Sequence, residues 1–71
     1  MRKRSITIHG HPTSISLEDE FWHELAGIAR LHKLSLNALV TEIDKQHDAG
    51  NLSSALRVYV LKQAKRKISR A

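Results

Sequence analysis

One short segment near the N-terminus alternates polar and apolar residues and leads directly into a helical pattern. Residues 13–17 read polar, polar, apolar, polar, apolar, which predicts a half-buried strand with Ile15 and Leu17 on its inner face. Ser14 and Ser16 would face outward. A strand of about five residues cannot leave its backbone donors and acceptors unpaired against a core, so this strand needs a partner.

Two partners are available to the strand. The same strand of a second chain would give an antiparallel ribbon about a two-fold axis. Alternatively, residues 5–8 could fold back on residues 13–16 through residues 9–12 and form a hairpin within the chain. A chain of 71 residues buries only about 60% of its unfolded surface, which favours a shared core and therefore the ribbon between two chains. The expected dimer core consists of Ile15, Leu17, Phe21, Leu25, Leu39, Val40 and Ile43.

The first predicted helix begins after the strand and ends near residue 32. Ser16 stands three residues before Asp19 in the spacing of a capping box, and three consecutive acids suit the positive end of a helix. Trp22 lies beside the apolar stripe of this helix. That stripe consists of Phe21, Leu25, Ile28 and Ala29.

Two more helices are predicted in the second half of the chain. Ser35 is a plausible N-cap for a helix that ends near Asp48 and carries apolar residues at the helical interval. Asn51 or Ser53 can cap a third helix, which ends in the basic run at residues 65–67. We interpret residues 1–11 as a basic arm that is extended in part, and residues 12–71 as one domain.

The charges are divided sharply along the chain. All seven acids lie between residues 18 and 48, so both ends are purely basic and the net charge is +5. Such ends favour a polyanionic partner, although basic tails can also serve solubility alone. The chain has no cysteine, which excludes disulfides, thiolate metal sites and a cysteine nucleophile. No apolar run is long enough for a membrane span, and we expect a cytoplasmic protein.

Residues with catalytic or metal-binding chemistry form no complete site in the sequence. His9 and His11, two apart on a strand, would place both imidazoles on one face, but two ligands do not make a metal site. No nucleophile stands at a known spacing from a base, and there is no glycine-rich phosphate loop. We expect no enzymatic activity, no metal and no cofactor.

Three segments carry a resemblance to a known superfamily. TSISLEDEFW at residues 13–22, LSLNALV at residues 34–40 and NLSSALR at residues 51–57 resemble the ribbon-helix-helix proteins, the superfamily of the Arc and methionine repressors. The likeness is greatest to a group of short bacterial members. It implies a mostly α fold in which one short strand pairs antiparallel across a homodimer and precedes two core helices, here with an additional C-terminal helix.

The resemblance also implies where such a protein would bind double-stranded DNA. Its paired strands lie in the major groove, and the start of its second helix holds a phosphate. By position, the ribbon residues are Pro12, Ser14 and Ser16. The phosphate clamp is formed by Lys33, Ser35, Leu36 and Asn37. The basic arm contributes Arg2, Lys3, Arg4, Thr7, His9 and His11.

Two functions follow from these expectations. The first is a homodimeric transcription regulator, of which a repressor is one form. The alternative is a protein-interaction module, such as an antitoxin or adaptor, whose C-terminal helix binds another protein. Serine reaches less far than the long polar side chains usual on such ribbons, so the sequence favours the strand as a dimerising element more than as a selective reader of bases.

Overall fold

A two-stranded hairpin is followed by three helices in the computed structural model, which describes residues 1–46 and 51–68 and the side chains up to residue 66. The strands are β1 (Arg2–Ile8) and β2 (His11–Leu17), and they pair antiparallel. The helices are α1 (Asp19–Leu31), α2 (Leu36–Gln46) and α3 (Leu52–Ile68). None of the described helices is long and apolar enough to cross a membrane.

The hairpin forms because two residues at its tip adopt left-handed backbone conformations. His9 has φ 51° and Gly10 has φ 80°, and positive φ at both central residues is what a type I′ turn requires. Glycine adopts this region freely, and histidine enters it more readily than most residues. The turn sets Ile8 opposite His11 and fixes the register of both strands.

Strand β2 therefore has a partner within its own chain. Residues 2–8, assigned from the sequence to an extended basic arm, form β1, and β2 is longer than the predicted residues 13–17. The sequence favoured a partner strand from a second chain, and this prediction is wrong for the edge of β2 that pairs with β1. The hairpin alternative describes this edge, but its connection is His9 and Gly10 alone instead of residues 9–12, so the register is shifted by two residues and Ser5 pairs with Ser14. A pairing between chains would use the other edge.

The core lies between the hairpin and the three helices of a single chain. The inner face of the sheet contributes four buried side chains, and each helix contributes a stripe at the helical interval. Among the described residues, the buried ones are Ile6, Ile8, Ile15, Leu17, Trp22, Leu25, Ala29, Leu39, Val40, Ile43, Leu56 and Val60. Six of the seven residues expected in a dimer core are among them, and Phe21 is half-buried. They form the core of one protomer.

Helix α1 begins without the predicted capping box. Ser16 lies within β2, so it cannot act as the cap, and Glu18 takes the N-cap position with an extended backbone and no side-chain capping bond. The carbonyl of Glu18 accepts hydrogen bonds from the amides of Phe21 and Trp22 at 3.0 and 3.2 Å. Trp22 is 2% exposed, so it belongs to the core rather than beside it.

The end of α1 is a Schellman motif with lysine at the left-handed position. Lys33 has φ 59°, and its amide donates to the carbonyl of Arg30 at 3.1 Å. The amide of Leu34 donates to the carbonyl of Ala29 at 2.8 Å. These two bonds satisfy carbonyls that the helix leaves open and turn the chain toward α2.

Helices α2 and α3 begin at caps that the sequence predicts. The hydroxyl of Ser35 accepts from the amide of Ala38 at 3.0 Å, and Asn51 Oδ1 accepts from the amide of Ser53 at 2.9 Å. Helix α2 is described as far as Gln46, and its predicted end near Asp48 lies outside the described residues.

Candidate nucleic-acid interface

The outward face of the hairpin is polar and carries no acid. Side chains of residues paired in an antiparallel sheet share a face, and the buried isoleucines mark the inner one. The opposite face therefore carries Lys3, Ser5, Thr7, Pro12, Ser14 and Ser16. Five of these residues are exposed and Ser16 is half-buried. Residues 1–17 contain no acid at all, so the face offers one cation and several hydroxyls to a partner.

The two edges of the hairpin differ in what covers them. Pro12 has no N–H and pairs with Thr7, so this pair is not hydrogen-bonded and the backbone of Thr7 faces away from β2. Asn37 binds both backbone groups of Thr7 at this outer edge. The amide of Thr7 donates to Asn37 Oδ1 at 2.8 Å, and Asn37 Nδ2 donates to the carbonyl of Thr7 at 2.7 Å. The start of α2 is thereby fixed against the outer edge of β1.

The same alternation points the backbone of Ser14 and Ser16 toward the outer edge of β2. Ser53 Oγ, at the start of α3, lies 3.4 Å from the carbonyl oxygen of Ser16 and donates to it. The N–H and carbonyl of Ser14 have no acceptor or donor within the hairpin, since its pair with Ser5 is of the non-hydrogen-bonded kind. The β2 edge is thus open at its centre.

Two arginines of β1 point toward α1 and not outward. Arg2 Nε donates to Asp19 Oδ1 at 2.8 Å, and the Arg4 guanidinium lies 5.6 Å from the centroid of the Trp22 ring. The indole N–H of Trp22 donates to the carbonyl of Arg2 at 2.9 Å. The hydrogen bond from Arg2 lowers the pKa of the Asp19 carboxyl. Both arginines therefore hold β1 on α1.

The first turn of α2 presents free backbone donors beside β1. The first amides of a helix have no acceptor within it, and Ser35 satisfies only that of Ala38. No acceptor among the described residues bonds the amides of Leu36 and Asn37. Lys33 precedes them by a few residues in the exposed turn. The side chain of Asn37 is held on Thr7 by these two bonds, whereas its backbone N–H has no acceptor among the described residues and is available to a ligand.

An ion pair joins the start of α1 to α3. Arg57 Nε and Nη2 donate to the two carboxylate oxygens of Glu18 at 3.1 and 3.4 Å, and the same guanidinium lies 5.9 Å from the centroid of the Phe21 ring. The pKa of Glu18 is lowered, first by its own backbone N–H and then by the bond from Arg57. Of the basic residues further along α3, Lys62, Lys65 and Arg66 are exposed.

The histidines do not form the pair expected on one strand. His9 lies in the turn, with Nε2 3.9 Å from Asp44 Oδ2, whereas His11 is the first residue of β2. Within residues 1–46 and 51–68, no three histidine or carboxylate side chains stand close enough together to hold a metal ion.

The structure divides the expected DNA-contacting residues into two groups. Lys3 and Thr7 share the outward face with Pro12, Ser14 and Ser16, whereas Arg2 and Arg4 lie on the inner face and contact α1. Ser5, which the sequence analysis did not single out, joins the outward group. The two-residue turn at His9 and Gly10 fixes the register, and the register decides which side chains of β1 face outward. The His-Gly pair in the sequence was therefore the signal that could have identified the outward residues of β1.

Comparison with known proteins agrees with this architecture. A family model described as a ribbon-helix-helix domain matches residues 1–64, which is most of the chain. The chain therefore belongs to the ribbon-helix-helix family, whose domains are typically non-enzymatic DNA-binding regulators or antitoxins and generally form dimers. No curated protein and no solved structure is significantly similar to it.

Proposed function

We propose that the protein is a homodimeric transcription regulator that places the outward face of its hairpin in the major groove of DNA. The observation that carries this proposal is the composition of that face: one lysine, hydroxyl side chains and proline, with no acid, opposite a closed apolar core. Hydroxyl groups can donate to and accept from base edges, and the major groove displays both kinds of partner.

The base-contacting residues in this proposal are Pro12, Ser14 and Ser16 of β2. Serine is short and bonds several base edges, so discrimination between sequences is expected to be modest. Binding strength would come mainly from phosphates. The amides of Leu36 and Asn37 form a helix N-terminus suited to a phosphate, and Lys33 and Ser35 lie beside it.

The dimer would form by pairing the open edges of two β2 strands. With Ser14 on the two-fold axis, the two Ser14 residues exchange backbone hydrogen bonds, and Pro12 of one chain lies opposite Ser16 of the other. Proline cannot donate to the carbonyl of Ser16. Ser53 of the same chain already donates to that carbonyl, which supports this register.

The proposal is tested by mobility shifts with mixed-sequence duplex DNA at salt concentrations from about 50 to 200 mM. If about six phosphates are neutralised per dimer, the log-log slope of affinity against salt is about −5. Ser14→Glu, which places a carboxylate at the centre of the outward face, is expected to weaken binding at least a hundredfold. Gln46→Glu adds the same charge at the far end of α2 and is the matched control. Wild-type protein that binds no duplex at low salt would contradict the proposal.

A protein partner for α3 is the second candidate function. Val58 and Leu61 are 47% and 54% exposed and lie on the side of α3 that faces away from the core. Apolar side chains make no favourable contact with DNA phosphates, so these two residues suit a protein surface better. Lys62 is exposed on the same helix and suits an acidic partner. The mobility shifts across salt separate the two functions. Duplex binding that weakens with salt supports the regulator, whereas no duplex binding at low salt favours the protein-interaction module.

A further inference from the structure

We propose that strand β1 contacts the DNA phosphates beside the major groove, as the outer strand of a four-stranded sheet formed by two chains. Lys3, Ser5 and Thr7 are the contacting residues. The inference rests on the proposed DNA-binding function and assigns β1 a role that differs from the role of β2. It starts from three observations: the open edge of β2, the width of the resulting sheet and the helix fixed to β1.

The edges of the hairpin place β1 on the outside of such a sheet. Asn37 bonds both backbone groups of Thr7, so α2 obstructs the β1 edge at that residue. The β2 edge is open at Ser14, and its neighbouring carbonyl at Ser16 is satisfied by Ser53. Two chains that pair through β2 therefore give the order β1, β2, β2, β1.

The width of this sheet decides what each strand can reach. Neighbouring strands lie about 4.8 Å apart, so the two β2 strands lie about 2.4 Å from the two-fold axis and the two β1 strands about 7 Å from it. The major groove is about 12 Å wide, which accommodates two strands but not four. The β2 strands can enter the groove, whereas the β1 strands lie over its walls, where the phosphates are.

The position of α2 supports the same assignment for β1. The Asn37 bonds to Thr7 fix the first turn of α2 at the outer edge of β1, and this turn presents the free amides of Leu36 and Asn37. A helix N-terminus favours an anion. The lysine and hydroxyls of β1 and these amides therefore lie on the same flank of the sheet, as contacts to one phosphate strand require.

The side chains of β1 also fit phosphate better than bases. Lys3 carries a mobile ammonium group, which binds phosphate as a point charge, and the hydroxyls of Ser5 and Thr7 can donate to phosphate oxygens. Phosphate contacts fix position without reading sequence. The inference thus predicts that β1 sets the affinity and salt dependence, while β2 sets the preference between sequences.

The test compares two variants of β1 that lose the same charge from opposite faces. Lys3→Gln removes an outward cation, and Arg2→Gln removes one that is bonded to Asp19. Each phosphate contact adds about 0.9 to the magnitude of the log-log slope of affinity against salt, so Lys3→Gln lowers it by about 1.8 per dimer. The loss of affinity between 50 and 200 mM salt then becomes roughly tenfold smaller. Arg2→Gln leaves the slope within about 0.5 of the wild-type value.

Selection from a random duplex library supplies the second readout. Lys3→Gln and Thr7→Ala are expected to select the same sequences as wild-type protein, and Ser16→Ala is expected to change them. A changed sequence preference for Lys3→Gln, or an unchanged slope, would overturn the role of β1 while the DNA-binding function stood. Absence of binding by wild-type protein would instead remove the function itself, so the two failures are distinguishable.

Discussion

At the scale of single residues, the two described glycines lie in opposite backbone environments and are expected to respond oppositely to alanine. Gly10 has φ 80° in the hairpin turn, where an L side chain costs about 1–2 kcal/mol. Gly27 lies within α1 with no atom near the position of a Cβ, so alanine is expected to stabilise the fold by about 0.5–1 kcal/mol. Urea unfolding of Gly10→Ala and Gly27→Ala checks both signs. Equal effects of one sign would contradict these backbone assignments.

Lys33 is expected to show a conflict between stability and binding. Its φ of 59° is strained for lysine, so Lys33→Gly is expected to raise the free energy of unfolding by about 1 kcal/mol. The same change removes a cation beside the free amides of α2, and DNA affinity is expected to fall severalfold. Lys33→Asn removes the charge and keeps a side chain that tolerates the left-handed region. Urea unfolding and mobility shifts measure the two effects, and unchanged affinity for both variants would exclude Lys33 from the phosphate clamp.

At the scale of elements, the ion pair between Glu18 and Arg57 makes the attachment of α3 dependent on pH. The folded-state pKa of Glu18 lies below the ordinary glutamate value of 4.5, so its contribution to stability is present above that value and is lost as the pH falls through the folded pKa. Asp19, bonded to Arg2, acts in the same direction. Glu18→Gln is expected to flatten the decrease in stability below pH 4.5, measured by urea unfolding across pH. An unchanged pH profile would show that this carboxylate has no such role.

The elements also show which features of the fold a sequence can reveal. The caps at Ser35 and Asn51 were predicted and are present, because a cap depends on residues a few positions apart. The capping box at Ser16 was wrong, because β2 continues through that residue. The sequence favoured a strand of a second chain as the partner of β2, but β1 of the same chain pairs with it. The reason is that this pairing depends on the left-handed backbone of His9 and Gly10, which alternation alone does not reveal.

The candidate interface was predictable only in part for the same reason. Alternation identified Ser14 and Ser16 as outward residues, and the register confirms that they share a face. The role of Asn37 at Thr7 depends on a contact between residues 30 positions apart, which no local pattern reveals. The inward position of Arg2 and Arg4 likewise required the register of β1 and the place of α1 beneath it.

At the scale of the whole molecule, the core formed by the described residues lies within one chain, so the proposed dimer would be held by a surface that folding leaves available. Among the described residues, the hairpin, α1, α2 and α3 together bury twelve core side chains within the protomer. The centre of the β2 edge is such a surface, because the backbone of Ser14 is directed outward there. The N–H and carbonyl of Ser14 are therefore available to a strand of a second chain.

Two proline variants, Ser14→Pro and Ser5→Pro, test whether the dimer forms through the edge of β2. Ser5 and Ser14 are partners in the hairpin register, and the N–H of each faces away from the other strand, so proline at either position removes no bond within the hairpin. Ser14→Pro removes two hydrogen bonds at the proposed two-fold axis, each contributing about 1 kcal/mol, and is expected to weaken the dimer about thirtyfold. Ser5→Pro is expected to leave the dimer unchanged. Light scattering over a range of concentrations measures the association, and circular dichroism confirms that both variants fold. If only Ser5→Pro weakens association, the two chains pair through β1 and not through β2. A monomeric wild-type protein at micromolar concentration would contradict the dimer.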